Sequence, residues 1–353
     1  MRLSVLSPWN STGYGVAGIN LSRNLLLRDR VGILLHEGPV EQTADDPKVI
    51  ATLMGAMMSP PEADLDLPAL KFSHQHKLFS MPTRRTRIGW TVFEVELTEY
   101  EVVNMNSCDL IIVCSNWARE LAKTCGVSVP IRVVSLGVAA RHYAPAKAPK
   151  RDEYTFLSIG KWELRKGHPE LIETFSRVFQ GVKDIELILA VDNPFLPPME
   201  MAKLKDHYRR MHPGIRFVSR MKHPRMVASL IQSAHCGVYP TRAEGFGLPI
   251  LETMASNRTV IAPQTTALAD YVTKDNAMVL ESTTEEAARD GVFFKGRGVW
   301  YPVDQDELGA AMLTAYKERR CENPAGVGTA QTLSWHNVTE RLLKVLEEEK
   351  VWK

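Results

Sequence analysis

Short apolar runs alternate along the whole chain with stretches whose apolar positions recur every three or four residues. Residues 2–7 read as a strand, 16–28 as an amphipathic helix and 31–36 as a second strand, which together form a β-α-β unit. Further strands are predicted at 87–93, 110–114 and 131–135, with a helix over 116–124 between the last two. Strands separated by helices pair in parallel, so the first half predicts a parallel sheet. The segment 144–150, APAKAPK, has no periodicity and reads as a linker. Beyond it the alternation restarts, with strands at 155–159, 186–191, 214–218, 236–239 and 259–262, and helices at 168–179, 224–233 and from Pro249 onward. The expected fold class is α/β, two Rossmann-like doubly wound parallel sheets. Ligands bind such sheets beyond the carboxyl ends of the strands, so the two are expected to face each other across a shared cleft.

A length of 353 residues agrees with two domains at roughly 150 residues each. Lys plus Arg number 43 against 41 for Asp plus Glu, a net charge of +2, which excludes a polycation built for nucleic acid. Basic character is local. Eight Lys or Arg (Lys203, Lys205, Arg209, Arg210, Arg216, Arg220, Lys222, Arg225) face only Asp206 between 203 and 225, and TRRTR at 83–87 adds three more. A phosphate-rich acceptor such as DNA, or an anionic membrane surface, would explain these patches, and so would solvated helix faces. The five cysteines (Cys108, Cys114, Cys125, Cys236, Cys321) are odd in number and contain no C-x-x-C pair, which argues against a disulfide framework and a zinc site. With too few apolar residues before Pro8 for a signal peptide and no 18-residue apolar run, the expectation is a cytoplasmic protein without a transmembrane segment.

Three segments carry chemistry. In YPTRAEGFGLPILETMASN, 239–257, a buried strand ends in a loop that opens a helix, and Glu244 and Glu252 are separated by seven residues. Gly245 and Gly247 let the backbone approach a ligand, Pro249 suits the first helical position, and free amides at a helix start make an anion site. Glu252, three residues into that helix, is expected within reach of hydroxyls on the same ligand. A glycine-rich loop with two solvated glutamates fits the spacing equally. In SIGKWELRKGH, 158–168, another strand ends in glycine and is followed by Lys161, Arg165 and Lys166, cations that suit a pyrophosphate. A basic loop capping the next helix is the bland reading. Third, Gly13-Tyr14-Gly15-Val16-Ala17-Gly18 satisfies G-x-G-x-x-G, with Glu37 nineteen residues after Gly18. This is a rival signal for a dinucleotide site, although six residues, 7–12, separate the strand from Gly13 where a Rossmann fingerprint turns almost at once.

With these segments in this order, nearly the whole chain resembles the retaining glycosyltransferases of family 4, which have the GT-B fold and use nucleotide-sugar donors. EGFGLPILE looks like that family's Glu-x7-Glu motif and GKWELRKG its glycine-cation-lysine motif; NSCDLIIVCSNWARE and PIRVVSLGV look like the closing strands of its first domain. Ser334-Trp335 and the helix after them look like its C-terminal crossover. The resemblance implies domains at 1–148 (acceptor side) and 149–330 (donor side), with 331–353 crossing back to the first. It implies that Glu244 lies by the donor sugar's hydroxyls, that the amides of Phe246, Gly247 and Leu248 meet sugar and diphosphate, and that Glu252 accepts from the ribose. Lys161 and Lys166 would neutralise the diphosphate, Arg220 would lie near the base, and the loop of Gly13 and Gly15 would face donor and acceptor.

Two departures stand out. Where many members carry a histidine followed by an acid, this chain reads Phe93-Glu94, so Glu94, His74 or His76 takes over that contact, with Glu94 ranked first. The usual asparagine before glycine is Leu136, before Gly137. The expected reaction is transfer from a UDP-sugar or GDP-sugar to an acceptor hydroxyl with retention. No cofactor is expected beyond that donor. Cations and amides are expected in place of a metal. Glycan, lipid, small molecule and a modified nucleobase in DNA stay open as acceptors. An NAD(P)-dependent oxidoreductase using the Gly13 loop and a non-catalytic nucleotide-sugar or nucleic-acid binding module are the alternatives.

Overall fold

Six parallel strands build the first sheet. The computed structural model describes residues 2–58, 65–193, 195–282 and 284–351, and the chain divides into two units. Unit 1 comprises Met1–Ala139, Lys222–Pro224 and Thr332–Lys353. In chain order it holds β1 (Leu3–Ser7), α1 (Gly13–Leu26), β2 (Val31–His36), α2 (Pro47–Met58), β3 (Ala69–Phe72), β4 (Arg87–Thr91), α3 (Glu99–Asn106), β5 (Leu110–Val113), α4 (Asn116–Thr124) and β6 (Ile131–Val133). The strands lie in the order β2-β1-β3-β4-β5-β6, and every pairing is parallel.

The apolar pattern does not mark β3, yet it sits at the centre of this sheet. Its four residues are all buried, and one is Lys71. That ammonium is satisfied inside the protein by Glu37 Oε1 at 2.7 Å and the Ser80 carbonyl at 3.0 Å, which a scan for apolar runs cannot anticipate. The first helix starts at Gly13 rather than at residue 16. Thr12 caps it, its hydroxyl accepting from the Gly15 amide, so the glycine motif lies within the helix. Thr98 and Glu101 form a capping box that begins α3.

Unit 2 comprises Ala140–Met221 and Arg225–Gln331. It runs through β7 (Tyr154–Lys161), α5 (His168–Val178), β8 (Ile185–Asp192), α6 (Pro198–Arg209), β9 (Ile215–Phe217), α7 (Pro224–Ser233), β10 (Cys236–Val238), α8 (Leu248–Ala255), β11 (Thr259–Pro263) and β12 (Met278–Leu280). The sheet order is β12-β11-β10-β7-β8-β9, again parallel throughout. An antiparallel hairpin follows, β13 (Glu286–Arg289) with β14 (Lys295–Trp300), and then α9 (Gln305–Lys317) and α10 (Pro324–Thr332). Tyr154, Phe156, Leu171, Ile172, Phe175 and Phe179 pack between β7 and α5, and burying each contributes about 1.5–3 kcal/mol. The last helix, α11 (Trp335–Glu348), belongs to unit 1: Arg28 Nε contacts Glu340 at 2.7 Å, and a Cβ on Gly137 would come within 2.8 Å of the Trp335 amide.

The segment 144–150 has no regular secondary structure, but it is bound to unit 2. The buried guanidinium of Arg258 donates to the carbonyls of Ala146 (2.8 Å), Lys147 (2.7 Å) and Gln232 (2.7 Å). Among the described residues no helix is long and apolar enough to cross a membrane.

Candidate active site where the turns after β7 and β10 meet

Both turns begin at the carboxyl end of a buried strand and end in a helix. Their backbones touch. The Arg242 amide donates to the Arg165 carbonyl at 2.7 Å, and Arg242 Nη1 donates to the Leu164 carbonyl at 2.6 Å. Gly167 has a φ of 68°, and a Cβ there would lie 2.2 Å from the Pro240 carbonyl oxygen, so only glycine lets the turns approach this closely.

This contact brings the predicted charges together. Lys166 Nζ donates to Glu244 Oε1 at 2.6 Å, and Arg165 Nη1 donates to Glu244 Oε2 at 3.2 Å and to the Ala243 carbonyl at 2.6 Å. Arg165 Nη2 reaches Glu163 Oε2 at 3.1 Å, and the other oxygen of Glu163 pairs with Lys161 Nζ at 2.7 Å. Glu244 is 6% exposed, so it is far from a solvated glutamate. Burial by itself would raise its pKa, but the charges of Lys166 and Arg165 outweigh that and hold the carboxyl below its ordinary value. The carboxylate is therefore ionised at neutral pH. Its own peptide is clamped by Thr266, whose hydroxyl receives the Glu244 amide at 2.9 Å and donates to the Glu244 carbonyl at 3.1 Å. Thr266 has a φ of 52°, strained for a β-branched residue, and such strain concentrates at functional positions.

Gly247, φ 87°, is the N-cap of α8, with Pro249 the second helical residue. Tyr271 Oη donates to the carbonyls of Phe246 (2.9 Å) and Gly247 (3.0 Å), which fixes the loop that opens α8. The pattern expectation placed Glu252 three residues into this helix. It is in fact the fifth, because the helix opens at Leu248, and it is buried. Burial raises its pKa to about 8, against a lowering hydrogen bond from Tyr143, so at pH 7 this carboxyl carries a proton.

Residues 153–292 match the family described as Glycosyl transferases group 1. That match marks the segment as similar to group 1 glycosyl transferases. The chain is 26% identical over 247 residues to an MMP alpha-(1->4)-mannosyltransferase of Mycolicibacterium hassiacum, covering 68% of this chain and 54% of that one. It spans about half the length of the curated relatives it matches. In three dimensions it is similar to sucrose-phosphate synthase from Thermosynechococcus elongatus, with a TM-score of 0.71, 14% identity and full coverage of both chains. It is also similar to the Anabaena protein HepE in complex with UDP-glucose, with a TM-score of 0.70, 13% identity, and coverage of 99% of this chain and 100% of that one. The fold is GT-B, two Rossmann-like domains.

Within the matched segment, Lys161 stands apart from Lys166. Its ammonium lies 5.1 Å and 5.6 Å from the ring centres of Phe195 and Phe293, the latter at the tip of the β13–β14 hairpin. Arg220 lies half-buried three residues beyond β9, two strands along the sheet from β7. Gly245 is buried between Glu244 and Phe246.

In unit 1 the expected glycine loop is absent, because Gly13 and Gly15 are helical. A Cβ on Gly15 would lie 2.2 Å from the Asn10 carbonyl oxygen, and one on Gly18 lies 2.3 Å from that of Pro8, so the protein's own loop fills the space a dinucleotide's phosphates need. Glu37 is paired with Lys71. The dinucleotide fingerprint therefore does not assemble. Tyr14 projects instead, donating from Oη to the Val92 carbonyl at 2.6 Å and lying 4.0 Å from the His74 ring. His74 and His76 stack at 5.6 Å, both exposed, and Glu94 is half-buried two residues past Val92. Leu136 is buried.

Pattern reading missed Thr266, Tyr271, Tyr143 and His168 as parts of the site. Three of them act through contacts between segments distant in sequence, which leave no local signal. His168 directly follows the lysine motif, and its position there was the one available clue.

Proposed function

We propose that this chain transfers a sugar from a nucleoside-diphosphate sugar, linked to UDP or GDP, to an acceptor hydroxyl, with retention at the anomeric carbon. The observation that carries this reading is the 2.6 Å pairing of Lys166 with Glu244 beside the start of α8. As the bond between the sugar and the diphosphate breaks, negative charge grows on the departing phosphate. Lys166, Lys161 and the amides of Phe246, Gly247 and Leu248 are fixed donors for that charge, and preorganised donors in a site of low polarity are worth most in the transition state. Glu244, ionised and anchored by Thr266, offers its carboxylate to hydroxyls of the donor sugar. Glu252, protonated at pH 7, both donates to and accepts from a ribose hydroxyl.

The relatives support a donor of this class: the similar mannosyltransferase is named for sugar transfer, and HepE was solved with UDP-glucose. The test is incubation with a panel of labelled UDP- and GDP-sugars, following hydrolysis and transfer to glycan, lipid, small-molecule and DNA acceptors. Consumption of at least one donor, together with a melting temperature raised by the matching nucleotide, is expected. A chain that consumes none and is stabilised only by NAD overturns the reading.

A further inference from the structure

Behind the Lys166–Glu244 pair lies a small cavity lined by Ser158, Lys166, His168, Tyr239, Thr241 and Glu244, with room for about one water molecule. His168, the first residue of α5, is 1% exposed, and its ring stacks on Trp162 with centroids 5.6 Å apart and planes 16° from parallel. Trp162 in turn packs on Tyr208 at 5.4 Å. The stack fixes the imidazole, yet its Nδ1 is buried with no hydrogen-bond partner among the described residues. Phenylalanine would fill the same space without stranding a polar atom, so packing alone does not account for a histidine here.

The charged groups facing the ring are Lys166 and Arg165, from its own turn, and Glu244, from the turn after β10. Burial first, and then the two cations, push its pKa down to about 3, so the imidazole is neutral at any working pH. Neutrality matters, because an imidazolium would compete with Lys166 for the Glu244 carboxylate. A neutral ring offers one donor and one acceptor. Ser158, Tyr239 and Thr241 line the cavity besides the ion pair. The Tyr239 hydroxyl already bonds Thr253 and that of Thr241 donates to the Arg165 and Ala243 carbonyls, so with Ser158 and the ion pair there remain the two to four polar partners that an enclosed water requires.

We propose that His168 is a positioning residue of this site: through one water enclosed in the cavity, its Nδ1 holds the Glu244 carboxylate in register with the Lys166 ammonium. This rests on the transferase reading above. His168 touches neither donor nor acceptor; it sets the angle at which Glu244 and Lys166 meet them.

Two variants separate this role from packing. His168→Phe keeps the stack on Trp162 and removes both nitrogens, whereas His168→Asn keeps a polar atom near the place of Nδ1 and loses the stack. The expected result is a kcat lowered about 10-fold in His168→Phe, as for one lost hydrogen bond, with donor KM and melting temperature close to wild type, and recovery to within about threefold in His168→Asn. A purely structural residue gives the reverse order. The nitrogen-15 spectrum of the imidazole should stay that of the neutral ring from pH 5 to 9. A high-resolution crystal structure should show a water at hydrogen-bond distance, about 3 Å, from Nδ1. Full activity in His168→Phe, an imidazolium signal at pH 6, or no water at Nδ1 overturns the proposal. If wild type consumes no sugar nucleotide, the transferase reading falls and this inference with it; an active wild type matched by His168→Phe sinks the inference alone.

Discussion

The turn after β1 and the turn after β7 both leave a parallel strand and enter a helix through glycines, but the two are filled by different things. In unit 1 the glycines of α1 face the chain's own preceding loop, with the carbonyl oxygens of Asn10 and Pro8 2.2–2.3 Å from where a Cβ would sit. In unit 2 Gly167 faces Pro240, more than seventy residues later, at 2.2 Å. The first arrangement closes a helix start on itself. The second pulls a remote turn beneath a cluster of cations and leaves Glu244, Arg165 and Lys166 packed together with little solvent. A glycine signature thus reports close backbone approach, and the identity of the approaching segment decides whether the result is a filled loop or a charged site.

The sharpest way to break this contrast is Glu244→Ala, which takes the carboxylate from the half-buried Lys166 and one of two carboxylates from the buried Arg165. A loss of about 3–5 kcal/mol in denaturant unfolding is expected, since an uncompensated buried charge is costly. A loss below about 1 kcal/mol would show that Arg165 and Lys166 find water instead. Lys166→Ala comes next. Turnover should drop about 100-fold or more with the fold intact, because a donor to the departing phosphate is lost; unchanged turnover removes Lys166 from the mechanism.

The glycines themselves allow a paired test. Gly15→Ala and Gly167→Ala should each cost roughly 1–3 kcal/mol through steric conflict, but only Gly167→Ala should also weaken donor turnover. Gly13→Ala, with nothing within 4 Å of its Cβ, serves as the silent control. Equal effects of the first two on turnover would erase the distinction between the turns.

A further test concerns pH. The folded chain raises Glu252 from 4.5 to about 8, so it retains a proton that the unfolded chain releases above pH 4.5. Wild-type stability should therefore fall as pH rises from about 5 to 8 and level off beyond, whereas Glu252→Gln lacks this loss. The variant should gain on wild type across that window by up to about 4–5 kcal/mol, read from unfolding midpoints at several pH values. Parallel curves would mean that Glu252 is ionised in the folded state.

Much of unit 2 was legible in advance because its strands are apolar runs and its helices are periodic: 155–159 became Tyr154–Lys161, and 224–233 became Pro224–Ser233. β3 was not legible, because its Lys71 breaks the run and is tolerated only through Glu37 and a carbonyl brought from elsewhere. The start of α1 was misread by three residues because capping by Thr12 converts a loop-like glycine motif into helix. Within the site, Glu244, Lys161 and Lys166 stood out by residue type and spacing. The clamp by Thr266 and the loop anchor of Tyr271 did not, since a threonine or tyrosine twenty-odd residues downstream looks like any other.

Order along the chain, the kinds of residue available and the places where only glycine serves were all set by the linear message, because propensity, periodicity and charge are local properties. Which of those residues share a proton, a salt bridge or a stack was settled by three-dimensional packing alone. Neighbouring Lys166 and Arg165 keep the buried Glu244 ionised, whereas burial prevails at Glu252 and keeps it neutral, although the same side chain stands at both positions; burial and charged neighbours are properties of the fold that no stretch of sequence contains.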